Sequence, residues 1–510
     1  MDLSQGRCWI IGLAMVAGAA APVPAAEQPL KVTPNWDKVT GVAKTTATLQ
    51  VVVNPPLRRG TAIHDNAFKA LRDLQADYVR YVPWLPYPRL GVAELEPPKD
   101  GKTSWDFSII DPMTIDFLEA TKGHSTILNF STIPQWMYKT EKPVSYPADP
   151  NQVVWDYEQG TELRDPTFKE VADYYARLLA WYTQGGFTDE LGKRHESGHH
   201  FSIPYWEVLN EVDFEHSMSP ETYTRLYDAV VEAMRGVQPG LKFVGVSLAQ
   251  PSQKPEFFEY FLNPKNHKPG IPLDYISYHH YAVPAPDHTP DVQQYTFFAQ
   301  ADGFLNFVRG VEVIRKRLSP ATGTMINEIG AISADDVVQD QPGHVSQPIP
   351  ASYWNLAGAM YAYIFGELTR NGIDVAGESQ LVGYPTQFPS VSMVDWDAGN
   401  PNARYRVLQL LKSNFGPGDK IVDMQWKGFP PSPSGNFVYS HGVLTREGGK
   451  RRLLLVNTRD RAFTVSLPAA KGGQMDYVDQ TTGSAPPASR KVDGETVTLG
   501  GYAVAVVTLP

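Results

Sequence analysis

The chain has 510 residues, 42% of them hydrophobic and 11% aromatic, which is enough for one large domain plus a smaller one, each with its own core. Its formal net charge of −10 supplies no basic face, and nucleic acid is excluded as a partner on that ground. The one cysteine, Cys8, lies in the first few residues, so any mature form that loses them must be stable without disulfides.

Residues 1–26 have the layout of an export signal. Arg7 closes a short polar start, Trp9 to Ala21 is apolar and small, and Val23-Pro24-Ala25-Ala26 is a candidate cleavage region. The apolar run is broken at Gly12, Gly18 and Pro22 and is short for a membrane span, so an uncleaved anchor is the weaker reading. A secreted or periplasmic protein is expected, with no stable membrane span after cleavage. Residues 27–46 form an N-terminal segment able to add a strand to a later β module.

From Ala47 a β-then-α pattern recurs. Thr48 to Val53 is β-rich, and Asp65 to Gln75 carries Phe68, Leu71 and Leu74 on one helical side. Asp77 to Val82 is a strand, followed by a loop holding Trp84 and Tyr87. Asp111-Pro112 opens a helix, Ser125 to Phe130 is the next strand, and Asp165-Pro166 opens a further helix. The fourth strand is Tyr205 to Leu209, and it stops at the polar pair Asn210-Glu211. Ser219 and Pro220 then mark a helix start, and Pro239-Gly240 its end. Phe243 to Val246 and Leu273 to Tyr278 are strands five and six. A helix over Phe304 to Leu318 precedes strand seven, Thr324 to Asn327, and a helix over Tyr353 to Thr369 precedes strand eight, Ile373 to Ala376.

Eight strands separated mostly by helices predict a (β/α)8 barrel, the TIM fold, over residues 47–415. A doubly wound open sheet would carry a Gly-rich phosphate turn after an early strand, and none is present. The long connections Ser131–Asp165 and Ile329–Pro350 are rich in aromatic residues and proline and read as cleft builders. Beyond Asn414 the helical period disappears. Short alternating runs at Phe437–Tyr439, Arg452–Val456, Ala462–Leu467 and Thr496–Leu509, with turns such as Pro430 to Gly435, predict a β-sandwich over 416–510.

Glu328 closes its strand as Glu211 closes its own, which places both carboxylates at one rim of a closed barrel. Two carboxyl groups facing one cleft are what glycosidic bond cleavage requires. One protonates the leaving oxygen and the other attacks or stabilises the oxocarbenium-like centre. Arg80, at the end of Tyr78-Val79-Arg80, would face the same rim and could orient Glu328 or keep it ionised. Trp136 and Trp84 are candidates for stacking on sugar faces. Glu378, just past strand eight, is a candidate partner for a sugar hydroxyl. A uronic acid substrate would need a cation in the pocket, and Arg89, Lys139 and Arg164 lie in candidate loops.

These features resemble clan A glycoside hydrolases, and most closely family 39, the β-xylosidase and α-L-iduronidase group. The resemblance rests on Trp206-Glu207-Val208-Leu209-Asn210-Glu211, on the Tyr223-to-Pro239 helix with Val244-Gly245-Val246 after it, on Asp274 to Tyr281, and on Ile326-Asn327-Glu328-Ile329-Gly330. It implies a retaining mechanism, with Glu211 as acid/base, Glu328 as nucleophile and Asn210 on the sugar 2-hydroxyl. It also implies that His279 and Tyr281 position the nucleophile and the sugar ring; strand alternation sends His280 to the opposite face. The commoner family pattern is Trp-Asn-Glu-Pro. Here Leu209 and Val212 flank the pair, a departure that spares the carboxylate and its asparagine. A retaining enzyme needs its two carboxyl groups about 5–5.5 Å apart, an inverting one about 6.5–9.5 Å.

The partner expected is a carbohydrate, with no cofactor and no metal, because two carboxylates suffice. Two other classes compete: an inactive carbohydrate-binding barrel, and a zinc hydrolase built on His195-Glu196-Ser197-Gly198-His199. The zinc reading needs both histidines on one face of a helix, whereas Ser197-Gly198 and the flanking Lys193-Arg194 read as a solvated loop.

Overall fold

The computed structural model describes residues 30–510 apart from 143–145, 156–159, 286, 340, 342 and 427–436. The export-signal segment and the Pro430–Gly435 turn therefore lie outside the described residues. Eight parallel strands close into a barrel: β1 (Thr46–Val52), β2 (Val79–Val82), β3 (Thr126–Leu128), β4 (Tyr205–Glu207), β5 (Lys242–Leu248), β6 (Tyr275–Ala282), β7 (Gly323–Ala331) and β8 (Val375–Glu378). Sequential strands are neighbours all the way round, and β8 pairs with β1 to close the ring. This is the TIM barrel expected from the alternation. Ile127, Val244, Met325 and Val375 fill the interior as one apolar layer, with Tyr78, Tyr205 and Tyr275 packed against it.

A helix follows every strand. Ser219 caps the Pro220–Val237 helix by accepting the Thr222 N–H at 3.2 Å, with proline in the first turn. Two helix starts differ from the sequence reading. The Lys169–Thr183 helix begins after Asp165-Pro166 because Phe168 is left-handed (φ 61°) while the Asp165 carboxylate takes the Thr167 and Glu170 N–H groups. The helix read as starting at Phe304 starts at Pro290 and runs to Leu318. Its first half carries aromatic residues whose β propensity masks the helical period, and tertiary burial of Phe297, Phe298 and Ala301 decides the matter. The helices Glu256–Phe261 and Ala403–Asn414 escape the pattern reading altogether. The second is capped by Asn402, which accepts from Arg404 and Tyr405.

Among the described residues the C-terminal β module is built on nine strands, and its first comes from the other end of the chain. Leu30–Val42 pairs antiparallel with Lys420–Trp426 and parallel with Phe463–Ser466. The run Thr496–Leu509 is two strands, Thr496–Leu499 and Val504–Thr508. They are split at Gly500-Gly501, where a Cβ on Gly501 would lie 2.3 Å from the Asp460 carbonyl. Alternation along Arg451–Asn457 serves two cores. Leu453 and Leu455 point into the sandwich, and Leu454 and Val456 join the large core shared with the barrel. Among the described residues no helix is long and apolar enough to cross a membrane.

Candidate active site

Glu211 stands four residues beyond the end of β4, in a turn held open by unusual backbone. Leu209 (φ 60°) and Glu211 (φ 44°) are both left-handed, a conformation costing about 1–3 kcal/mol per non-glycine residue. Local bonds hold them there: the Glu211 N–H donates to the Ser247 carbonyl at 2.8 Å, and Asp213 accepts from the N–H groups of Ala249 and Gln250. Glu328 does not close its strand, because β7 continues three residues further, to Ala331. A register shift against β6 at Asn327 aligns Glu328 with His279. Asn327 donates to Glu207, 2.7 Å away.

The barrel centre at this level is a polar web around Arg80. Its Nε donates to Glu207 at 2.5 Å, Nη1 to Glu328 at 2.5 Å and to Gln50 at 2.6 Å, and Nη2 to Asn210 at 2.6 Å. Glu207 is fully buried and also accepts from Asn129 (2.6 Å) and Ser277 (2.5 Å). Sequence reading passed over Glu207 as one residue of a strand; its signal was a carboxylate at an inward position of an otherwise apolar run.

His279 lies between the two candidate carboxylates. Its Nδ1 is 2.9 Å from Glu211 Oε1 and its Nε2 is 3.6 Å from Glu328 Oε1. Tyr281 donates its hydroxyl to Glu328 Oε2 at 2.5 Å, with Ser379 Oγ 2.6 Å away. His280 faces outward and stacks on Phe304, with ring centroids 4.4 Å apart. One oxygen of Glu211 and one of Glu328 lie within 4.8 Å of each other.

The electrostatics of the two carboxyls diverge. Burial raises the Glu211 pKa, and the nearby Glu328 charge adds a smaller push, against the pull of His279. Burial also opposes ionisation of Glu328, but the charges of His279 and Arg80 and the bonds from Tyr281 and Arg80 outweigh it and hold its carboxyl below the ordinary value. Burial, not like-charge repulsion, is therefore the larger reason for Glu211 to retain its proton. Such a pair can supply one proton donor and one ionised oxygen to the same bond. Glu211, His279 and Glu328 also have donor atoms close enough to surround a cation. The Arg80 guanidinium on Glu328 already supplies positive charge there.

Glu215 is a residue that sequence reading missed. It lines the cleft, takes hydrogen bonds from Trp84 Nε1 (2.7 Å) and Asn210 Nδ2 (2.8 Å), and is pushed up to about 8 by burial and by the Glu211 charge. The signal available was its position one helical turn after Glu211.

Other sequence candidates fall elsewhere. Trp136 is 8% exposed, lies outside the cleft lining, donates to the Glu94 carbonyl and has Arg164 over its ring at 4.3 Å. Glu378 is fully buried, absent from the cleft lining and bonded to Arg404 at 2.9 Å, with burial pushing it up to about 7 against that partner. A side chain so enclosed cannot meet a sugar hydroxyl. Trp84 does line the cleft, with Trp155. Arg89 bonds the Pro147 carbonyl, Lys139 pairs with Glu162 and Arg164 pairs with Glu170, so none of the three reaches the cleft.

The His195–His199 string is neither helix nor open loop. Arg194–Glu196 forms a hairpin with Gly186–Thr188, His195 bonds Asp189 at 2.8 Å, and His199 bonds Asp111 at 3.2 Å.

Comparison with known proteins agrees with this architecture. The GH51 arabinofuranosidase from Xanthomonas axonopodis pv. citri superposes with a TM-score of 0.60 at 14% identity, covering 94% of this chain and 100% of that one. AbfB, a family 51 α-L-arabinofuranosidase from Bifidobacterium longum, gives 0.62 at 14%, covering 95% and 100%. A glucosidase from Croceicoccus marinus gives 0.57 at 15%, covering 94% and 99%. At these identities the likeness is one of fold. No curated protein matches by sequence. The immunoglobulin-like domain that D-apionate lactonase carries at its C-terminus matches residues 441–507. The profile of glycosyl hydrolases family 39 matches residues 21–301, more than half of the chain, and the protein belongs to that family.

Proposed function

We propose that this protein is an exported, retaining glycosidase in which Glu211 is the acid/base and Glu328 the nucleophile. The observation that carries the reading is the pair itself. Two carboxyl oxygens within 4.8 Å of each other, one carboxyl raised and one lowered in pKa, suit direct attack on the anomeric carbon better than admission of a water between them.

In the first step Glu328, ionised and aimed by Arg80 and Tyr281, attacks the anomeric carbon while Glu211 gives its proton to the departing oxygen. In the second, Glu211 takes a proton from water, whose oxygen displaces Glu328. His279 holds the Glu211 carboxyl in place through both steps, and Asn210, fixed by Arg80, offers its amide to the sugar. Among the described residues no arginine or lysine lines the cleft, which favours an uncharged glycone over a uronic acid. Export rests on the composition of residues 1–26.

The test is a panel of dinitrophenyl glycosides and polysaccharides, with proton NMR of the first-formed anomer. Net retention on one glycone, abolished by Glu328→Ala, is expected. Inversion would overturn the mechanism, and no turnover of any glycoside would overturn the activity.

A further inference from the structure

The cleft, about 640 Å³, has a polar floor and apolar walls. The floor is Gln50, Asn210, Glu211, Tyr281 and Glu328, enough to engage one sugar ring. On one wall Trp84, Trp155 and Phe388 form an aromatic corner with ring centroids 5.5 to 6.1 Å apart. Val283, Ile332 and Val337 add aliphatic surface. Three polar side chains higher in the cleft are turned inward, while Gln250 stays exposed: Gln339 accepts from the Phe388 N–H, Asp336 from Ser390 and Ser333, and Gln380 donates to the Val382 carbonyl. Two large apolar side chains stand open at the cleft, Phe214 at 62% and Val337 at 52% exposure.

Those walls are poorly matched to a second sugar. A hydroxyl pressed against valine or isoleucine loses its water and gains no partner. An aromatic face tolerates the C–H face of a sugar, but an aliphatic wall rewards hydrocarbon alone. Exposed apolar side chains grouped at a cleft commonly mark a binding surface. Phe214 alone ties part of this surface to the leaving-group side, because it follows Glu211 by three residues in one turn and its N–H donates to the Glu211 carbonyl at 2.8 Å. It therefore flanks the group that faces the leaving oxygen.

We propose that the leaving-group side of this cleft takes an apolar aglycone, an alkyl or aryl alcohol, in place of a further sugar unit. This rests on the glycosidase reading above. The glycosidic C–O bond breaks, the Glu211 proton goes to the aglycone oxygen to give a neutral alcohol, and water supplies the hydroxyl of the freed sugar.

The test compares kcat/KM for methyl, butyl and octyl glycosides of the glycone selected by the aryl panel, against the matching disaccharide. Octyl should exceed methyl by about tenfold or more, since each fully buried methylene is worth up to about fourfold. It should also exceed the disaccharide. Phe214→Ser should shrink the octyl-to-methyl ratio at least threefold, a ratio that a general folding defect does not move. A ratio near one, or preference for the disaccharide, overturns the proposal. If no glycoside is hydrolysed the glycosidase reading fails by itself. Binding then decides the aglycone question, by quenching of tryptophan fluorescence with octyl β-D-glucopyranoside below its micelle concentration against methyl β-D-glucopyranoside. Trp155→Phe identifies the cleft signal, and equal affinities overturn the proposal.

Discussion

Arg80 Nη1 and Glu328 Oε1 are 2.5 Å apart at the centre of the barrel, and the same guanidinium reaches Glu207 at 2.5 Å, so one cation serves two buried carboxylates. Removing it takes this counter-charge from Glu207 and leaves Glu328 with His279 alone. Arg80→Met should therefore lose about 3–5 kcal/mol of stability in urea unfolding, together with most of the activity. Arg80→Lys keeps the charge but not the planar fork, which cannot be replaced by one ammonium group. It should fold better than the methionine variant and still show a large fall in kcat. Wild-type kcat in either variant would remove Arg80 from the mechanism.

The two glutamates should separate by chemical rescue. Glu211→Ala should slow substrates with poor leaving groups far more than dinitrophenyl glycosides, which depart without a proton. Azide should then restore turnover and yield a glycosyl azide of retained configuration. Glu328→Ala should lose all normal substrates, and any azide product should be inverted. The reverse pattern would exchange the two roles.

The pH profile follows from opposed shifts. Glu328 must be ionised and its pKa lies below the usual carboxylate value, so the acid limb of kcat/KM should fall at lower pH than an ordinary glutamate gives. Glu211 must be protonated and its pKa is raised, so the alkaline limb should lie above that value. Glu211→Gln should remove the alkaline limb for dinitrophenyl substrates and leave the acid limb in place. Retention of both limbs would argue that another group carries the proton.

Stability should decline toward alkaline pH. Burial pushes Glu94 up to about 9 and Glu215 up to about 8, with further contributions from Glu190 and Glu211 respectively. Their unfolded values are ordinary, so between about pH 4.5 and these values the folded state binds more protons than the unfolded one. The stability they contribute is fully present below the unfolded pKa and is lost as pH rises through the folded pKa. Thermal scans should show the melting temperature falling from pH 5 to pH 9, with a shallower fall in Glu215→Gln. An unchanged slope in that variant would show that Glu215 ionises normally.

The β module should not come away cleanly from the barrel. A Cβ on Gly366, in the Ala351–Asn371 helix, would lie 2.5 Å from the Tyr439 hydroxyl and 2.7 Å from a ring carbon. Arg370 of the same helix donates to the Ser440 carbonyl at 2.9 Å. Gly366→Ala should therefore cost about 1–3 kcal/mol through overpacking. A fragment ending near residue 418 would expose the barrel face that Leu454 and Val456 cover, and it should aggregate. A monomeric fragment with the full-length melting temperature would contradict this.

The sequence by itself determined the barrel, because hydrophobic period, caps and turn residues are local properties that repeat with each strand and helix. It also marked Glu211 and Glu328 as carboxylates that interrupt the fourth and seventh apolar runs, since a polar residue in such a run is visible in one dimension. What only the tertiary structure decided is how side chains from distant strands meet. Trp84 and Glu215, or Arg80 and Glu328, touch because the ring closes, and no spacing announces it. Trp136 and Glu378 look equivalent to the cleft residues in the chain, yet local packing turns one onto Glu94 and Arg164 and the other onto Arg404. The direction of a side chain at a barrel rim depends on bulges and left-handed residues, such as the shift at Asn327 and the turn at Glu211. Those are set by the bonds that neighbouring strands supply.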